Sequence, residues 1–129
     1  MQDVATHPRI LLVDDHIDSV GSMQLFLQAS GYHVTTAESV KTALQAAAQE
    51  GFDLLVSDIG LPGAIGEDLI RQLREKGHNL PSIALSGYGT QQDIARSRAA
   101  GFQVHLIKPV SPQQLQTAID QLYKQRRET

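Results

Sequence analysis

Ile10-Leu11-Leu12-Val13-Asp14-Asp15 sets four apolar residues in succession and closes them with two carboxylates. The run is too short for a helix and does not alternate with polar residues. It reads as a strand buried on both faces, as in a parallel sheet. Leu54-Leu55-Val56, Ile83-Ala84-Leu85 and Val104 to Ile107 share its character. His33-Val34-Thr35-Thr36-Ala37 is β-branched but more polar, the composition of an edge strand.

Helical patterns fill the intervals. Val40, Ala43, Leu44, Ala47 and Ala48 lie on one helix face, with Ser39 as N-cap. Leu115, Ala118, Ile119 and Leu122 repeat that spacing behind Ser111 as cap and Pro112 at the first helical position. Thr90 and Asp93 resemble a capping box for a helix through Ala100. Val20, Met23 and Leu27 mark a helix over about 19–30, and Leu69, Ile70 and Leu73 one over about 66–76. Gly31, Gly51, Gly77 and Gly101 each follow a proposed helix, where a left-handed residue is needed. Gly31, Gly51 and Gly101 precede an aromatic that can pack back on the last turn. The order is βα repeated five times, which predicts an α/β fold with a parallel sheet and helices on both faces. We expect one domain over 9–124, with 1–8 and 125–129 as tails.

Composition narrows the function. The chain has 129 residues, 11 basic and 14 acidic, for a net charge of −3 and no Cys. The missing Cys excludes a disulfide framework, a thiolate zinc site and a cysteine nucleophile. The charge balance argues against a general nucleic-acid binder. MQDVATHPR is followed by no signal-peptide h-region, and no stretch is long enough to span a bilayer. The expected location is the cytoplasm, with no membrane insertion.

Ligands of such sheets bind beyond the carboxyl ends of the strands. Those ends carry Asp14 and Asp15, Asp58, Ser86 and Lys108. Three carboxylates on one rim repel one another unless a cation offsets them. Mg²⁺ suits such a site, because it takes oxygen ligands and keeps several waters. It would also bind the oxygens of an incoming phosphoryl group. Lys108 and Ser86 can contact further phosphoryl oxygens, which makes Asp58 the candidate nucleophile.

The set Asp14-Asp15, Asp58, Ser86 and Lys108-Pro109 resembles the receiver (CheY-like) domain of two-component response regulators. The resemblance covers about Arg9 to Tyr123. The segments SDIGLPGAIG, ALSGYG and AGFQVHLIKP look especially like receivers attached to hybrid sensor histidine kinases. It implies a flavodoxin-like (βα)5 three-layer sandwich with parallel sheet order 2-1-3-4-5. It implies a phosphoacceptor role for Asp58, catalytic support from Ser86 and Lys108, and a cis Lys108–Pro109 peptide. It implies Mg²⁺ (or Mn²⁺) held by Asp14, Asp15, Asp58 and the backbone carbonyl of Gly60. Ser86 and His105 match the switch positions, the second usually Tyr or Phe. The implied partner is a sensor histidine kinase or a histidine phosphotransfer domain, the chain's own kinase if it derives from a hybrid. The implied output is a changed surface on the fourth helix, fifth strand and fifth helix.

Other readings stand beside this one. Asp14 and Asp15 alone also suit a helix N-terminus. His105 also suits a half-buried strand histidine without a switching role. The other four histidines have no ligand spacing, and Gly87-Tyr88-Gly89 lacks the third Gly of a dinucleotide loop. Gly60 beside Gly87 leaves the site open, and Tyr88 could partly cover it. An aspartate-nucleophile phosphatase would need an acid where Asp58-Ile59-Gly60 has Gly, so no conventional turnover enzyme is expected. A pseudo-receiver that binds without phosphorylation is the third reading. A free-standing receiver and the terminal receiver of a hybrid kinase both fit the chain.

Overall fold

Each apolar run forms a strand. The structure, a computed structural model, describes residues 8–14, 17–59, 65–87 and 91–128, without the side chains at 17–19, 65–67 and 125–128. The elements are β1 (Arg9–Val13), α1 (Ile17–Ala29), β2 (His33–Ala37), α2 (Val40–Gln49) and β3 (Leu54–Asp58). Then follow α3 (Ile65–Glu75), β4 (Ser82–Ser86), α4 (Gln91–Ala100), β5 (Val104–Ile107) and α5 (Pro112–Glu128). All strand pairs are parallel, in the order β2-β1-β3-β4-β5.

Alternation along the strands splits the core into two layers. Ile10, Leu12, Leu54, Val56, Ile83 and Leu85 face α1 and α5, where Val20, Leu27, Leu115 and Ile119 meet them. Leu11, Val13, Leu55 and Ala84 face the other way, onto Ala43 and Ala47 of α2 and Leu69, Ile70 and Leu73 of α3. The expected caps form. Ser39 makes a capping box with Thr42, and the Ser111 hydroxyl accepts from Gln114 N–H while the Gln114 side chain accepts from Ser111 N–H. The box expected of Thr90 involves a residue outside the described set.

Two expectations need correction. The fifth strand is not buried on both faces: Val104, His105 and Leu106 are half-buried and Ile107 is exposed. It ends the sheet, so only β4 pairs with it among the described strands. Gly51 is not left-handed, because α2 leaves through Glu50 in an extended conformation, φ −145° and ψ 157°. The Glu50 carboxylate is held at the sheet edge by Thr35 Oγ1 at 2.6 Å and Arg9 Nη2 at 2.8 Å. The Thr35 hydroxyl, and less strongly Arg9, hold its carboxyl below the usual range. These contacts draw the chain off the helix without a left-handed turn. At the far end of the fold, α5 runs through Glu128.

Gly101 shows the left-handed turn that was expected. Its φ is +123°, and a Cβ there would meet the Arg74 guanidinium at 2.6 Å. Phe102 N–H donates to Ser97 O at 3.0 Å and closes the turn. Gly101→Ala should cost about 1–2 kcal/mol, mostly from the backbone, because the Arg74 side chain can swing away. Thermal unfolding some degrees below the parent would bear this out, and an unchanged Tm would contradict it.

Tyr32 ties the α1–β2 turn to α5 by donating its hydroxyl hydrogen to Asp120 Oδ1. Burial first, and then the Asp120 carboxylate, push its phenol above the usual value. A folded-state pKa above the unfolded one stabilises fully below about pH 10 and is lost as pH rises through the folded value. Urea unfolding should therefore show stability falling above pH 10, with a smaller fall in Tyr32→Phe. The same fall in both proteins would contradict this.

Candidate functional site

Ladder hydrogen bonds carry the sheet past its strand ends and so set the rim. Asp14 N–H donates to Ala37 O at 3.1 Å, Ile59 N–H to Leu85 O at 2.9 Å and Lys108 N–H to Ser86 O at 2.7 Å. Asp14 continues the row of Leu12, Asp58 that of Val56 and Lys108 that of Leu106, all on the α1/α5 face. Ser86 continues the row of Ala84 and reaches the same rim from the opposite face.

Asp58 is 4% exposed and Asp14 7%. Lys108 Nζ stands 3.1 Å from Asp58 Oδ2 and 3.7 Å from Asp14 Oδ2. One ammonium within reach of two buried carboxylates offsets their mutual repulsion. The Lys108–Pro109 peptide is cis, as the resemblance implied. Ser86 is buried, and Gly87 beside it is exposed with open space where a side chain would stand. A cleft of about 530 Å³ adjoins the rim, walled by Met23, Leu85, Pro109 and Val110 with Asp14 and Lys108 in its lining.

Thus the structure brings Asp14, Asp58, Ser86 and Lys108 to one rim. Asp15, Gly60 and Tyr88 lie outside the described residues. Two of the four expected metal ligands are therefore described, and no group of three potential metal-binding side chains forms among the described residues. His105 lies on the α4 side of β5, with Nδ1 2.9 Å from Ser97 Oγ. Ser97 was not singled out from the sequence. Its signal was available: it lies three residues after Ile94 and three before Ala100, on the inward row of α4.

The fold and this rim define a receiver, and the comparisons agree. The family model of the response regulator receiver domain matches residues 10–120, and the chain belongs to that family. It is similar to an uncharacterised 14.6 kDa protein of Leptolyngbya boryana, 39% identical over 114 residues, 87% of either chain. It is 31% identical to the two-component response regulator PhoP of Pseudomonas aeruginosa, over 90% of this chain and 52% of that one. The chain thus spans about half the length of such curated regulators. A CheY-like receiver domain from Methanospirillum hungatei superimposes with a TM-score of 0.83 at 30% identity, covering 95% of this chain and 99% of that one. Chemotaxis response regulator CheY4 of Vibrio cholerae gives 0.82 at 26% identity, over 90% and 98%. No described helix is long and apolar enough to cross a membrane.

Proposed function

We propose that this chain takes a phosphoryl group from a phosphohistidine onto Asp58 and converts the added charge into a changed surface on α4, β5 and α5. The observation that carries the reading is the 3.1 Å contact of Lys108 Nζ with Asp58 Oδ2 in a rim shared with Asp14. An Asp58 oxygen attacks phosphorus, the P–N bond to the donor imidazole breaks, and its electron pair stays on the imidazole nitrogen. Lys108 then pairs with a phosphoryl oxygen instead of the free carboxylate. Ser86, coming from the opposite sheet face, closes on another oxygen, and His105 answers on the same face.

The donor set fits a hard divalent cation. Asp14 and Asp58 are carboxylates on one rim, and Asp15 with the Gly60 carbonyl would complete the ligands of Mg²⁺ or Mn²⁺. When bound, such an ion offsets charge on the transferring phosphoryl oxygens. The donor is a sensor histidine kinase or a histidine phosphotransfer domain, and the setting is the cytoplasm. A turnover phosphatase is disfavoured by Gly60 at the place of the second acid, and a pseudo-receiver by the Lys108 contacts to both carboxylates.

The test is intact-mass analysis after incubation with a small phosphodonor and Mg²⁺. A gain of one phosphoryl group, absent in Asp58→Asn, supports the reading. No gain, or a gain that survives Asp58→Asn, overturns it.

A further inference from the structure

Of the ten residues of α4, the buried one is a serine. An apolar side chain there would bury without polar cost, so the Ser97 hydroxyl asks for a reason. Its two partners supply one. Ser97 Oγ donates to Ile94 O at 2.9 Å and lies 2.9 Å from His105 Nδ1. A hydroxyl has one hydrogen to donate. With that hydrogen on Ile94 O, the oxygen faces the ring as an acceptor, and Nδ1 must carry a hydrogen. In that arrangement the bond selects one ring form of His105 as well as its orientation.

The sheet register links this pair to the rim. Ala84 of β4 is level with His105, and Ser86 with Ile107. Residues level with each other in a parallel pair point to the same face, so Ser86 and His105 lie on one face, two residues apart along the strands. The neighbour of His105 on β4 is only a methyl group. α4 offers little apolar anchorage of its own: Ile94 is half-buried and Ala100 is packed at the margin of the core. The Ser97–His105 contact is a polar tie between α4 and β5.

We propose that Ser97 is a positioning residue of the switch. It holds His105 against α4 in the unphosphorylated protein through an Nδ1–H to Oγ hydrogen bond, and phosphorylation breaks that bond. Inward movement of Ser86 shifts the β4–β5 edge on which His105 stands, and loss of the bond frees α4 to move on the sheet. The inference rests on Asp58 being the phosphoacceptor.

Long-range nitrogen–proton NMR of the full chain distinguishes the ring forms. The resting protein should show the Nδ1–H form. Phosphorylation, followed by intact mass on the same sample, should shift both ring nitrogens. Ser97→Ala should lose the Nδ1–H preference before any phosphodonor is added and should reduce the phosphorylation shift at His105 by at least half. Ser97→Thr, which keeps the hydroxyl, should restore both. A resting Nε2–H ring, or an equally large shift in Ser97→Ala, overturns the role of Ser97 while a phosphoryl gain leaves Asp58 as acceptor. If the parent gains no phosphoryl group, both readings fall. Should Ser97→Ala fail to fold, the resting ring form of the parent still decides the bond.

Discussion

Lys108→Ala is expected to weaken the fold in chelator and to slow phosphorylation when Mg²⁺ is present. Asp58 and Asp14 are both nearly inaccessible, and Lys108 Nζ lies within 4 Å of each. Removing one partner of a buried ion pair typically costs about 3–5 kcal/mol, because the remaining charge loses its counter-ion in a poorly solvated place. Lys108 is 35% exposed, so solvent screens part of that interaction and about 1–3 kcal/mol is the fitting figure. Added Mg²⁺ should recover stability, since a cation that binds the folded rim and not the unfolded chain shifts the equilibrium by mass action. Phosphorylation should not recover. A preorganised charge aimed at the transferring oxygens is lost, and such losses slow a reaction by about 10²–10³-fold. Urea unfolding with and without Mg²⁺, and an intact-mass time course with a small phosphodonor, measure the two effects. Equal stability in chelator, or an unchanged phosphorylation rate, would sink the account.

Leu55→Ala should have the largest effect on stability alone. Leu55 is fully buried on β3, level with Leu11 of β1 and Ser82 of β4, and packs in the layer beneath α2 and α3. The missing atoms leave a hole that strands paired on both sides cannot close, so about 2–5 kcal/mol is expected. Domains of this kind hold only about 5–15 kcal/mol in total, so the loss should lower the Tm by roughly 10 °C or more. Leu25→Ala is the control. Leu25 is 70% exposed on α1, and its loss should stay within about 0.5 kcal/mol. Comparable losses in the two variants would contradict the placement of the core.

The element order and most of the rim were legible because both depend on local pattern. Unbroken apolar runs such as Ile10 to Val13, alternating with helical patterns, suit strands buried between two helical layers, and the chemistry-bearing residues follow them directly. The errors arose where pattern is silent about neighbours. Val104 to Ile107 is apolar except for His105 and reads like an inner strand, but only position in the sheet makes β5 an edge with Ile107 exposed. Gly51 follows a helix like Gly31, but the contacts of Glu50 with Thr35 and Arg9 remove the need for a left-handed turn. The spacing of Ser97 from Ile94 and Ala100 places it on the inward row of α4, but nothing local predicts that a histidine eight residues on will meet its hydroxyl.

By itself, then, the sequence determined the βα alternation, the helix caps and the residues delivered to the strand ends, because each follows from hydrophobic periodicity and backbone sterics over a few residues. Tertiary structure alone decided that Lys108 stands between Asp58 and Asp14, that Ser86 approaches from the opposite face, and that Ser97 holds His105. Those relations join side chains far apart in sequence or on different elements. They depend on strand order and register, which are set by the packing of the whole sheet between its two helical layers.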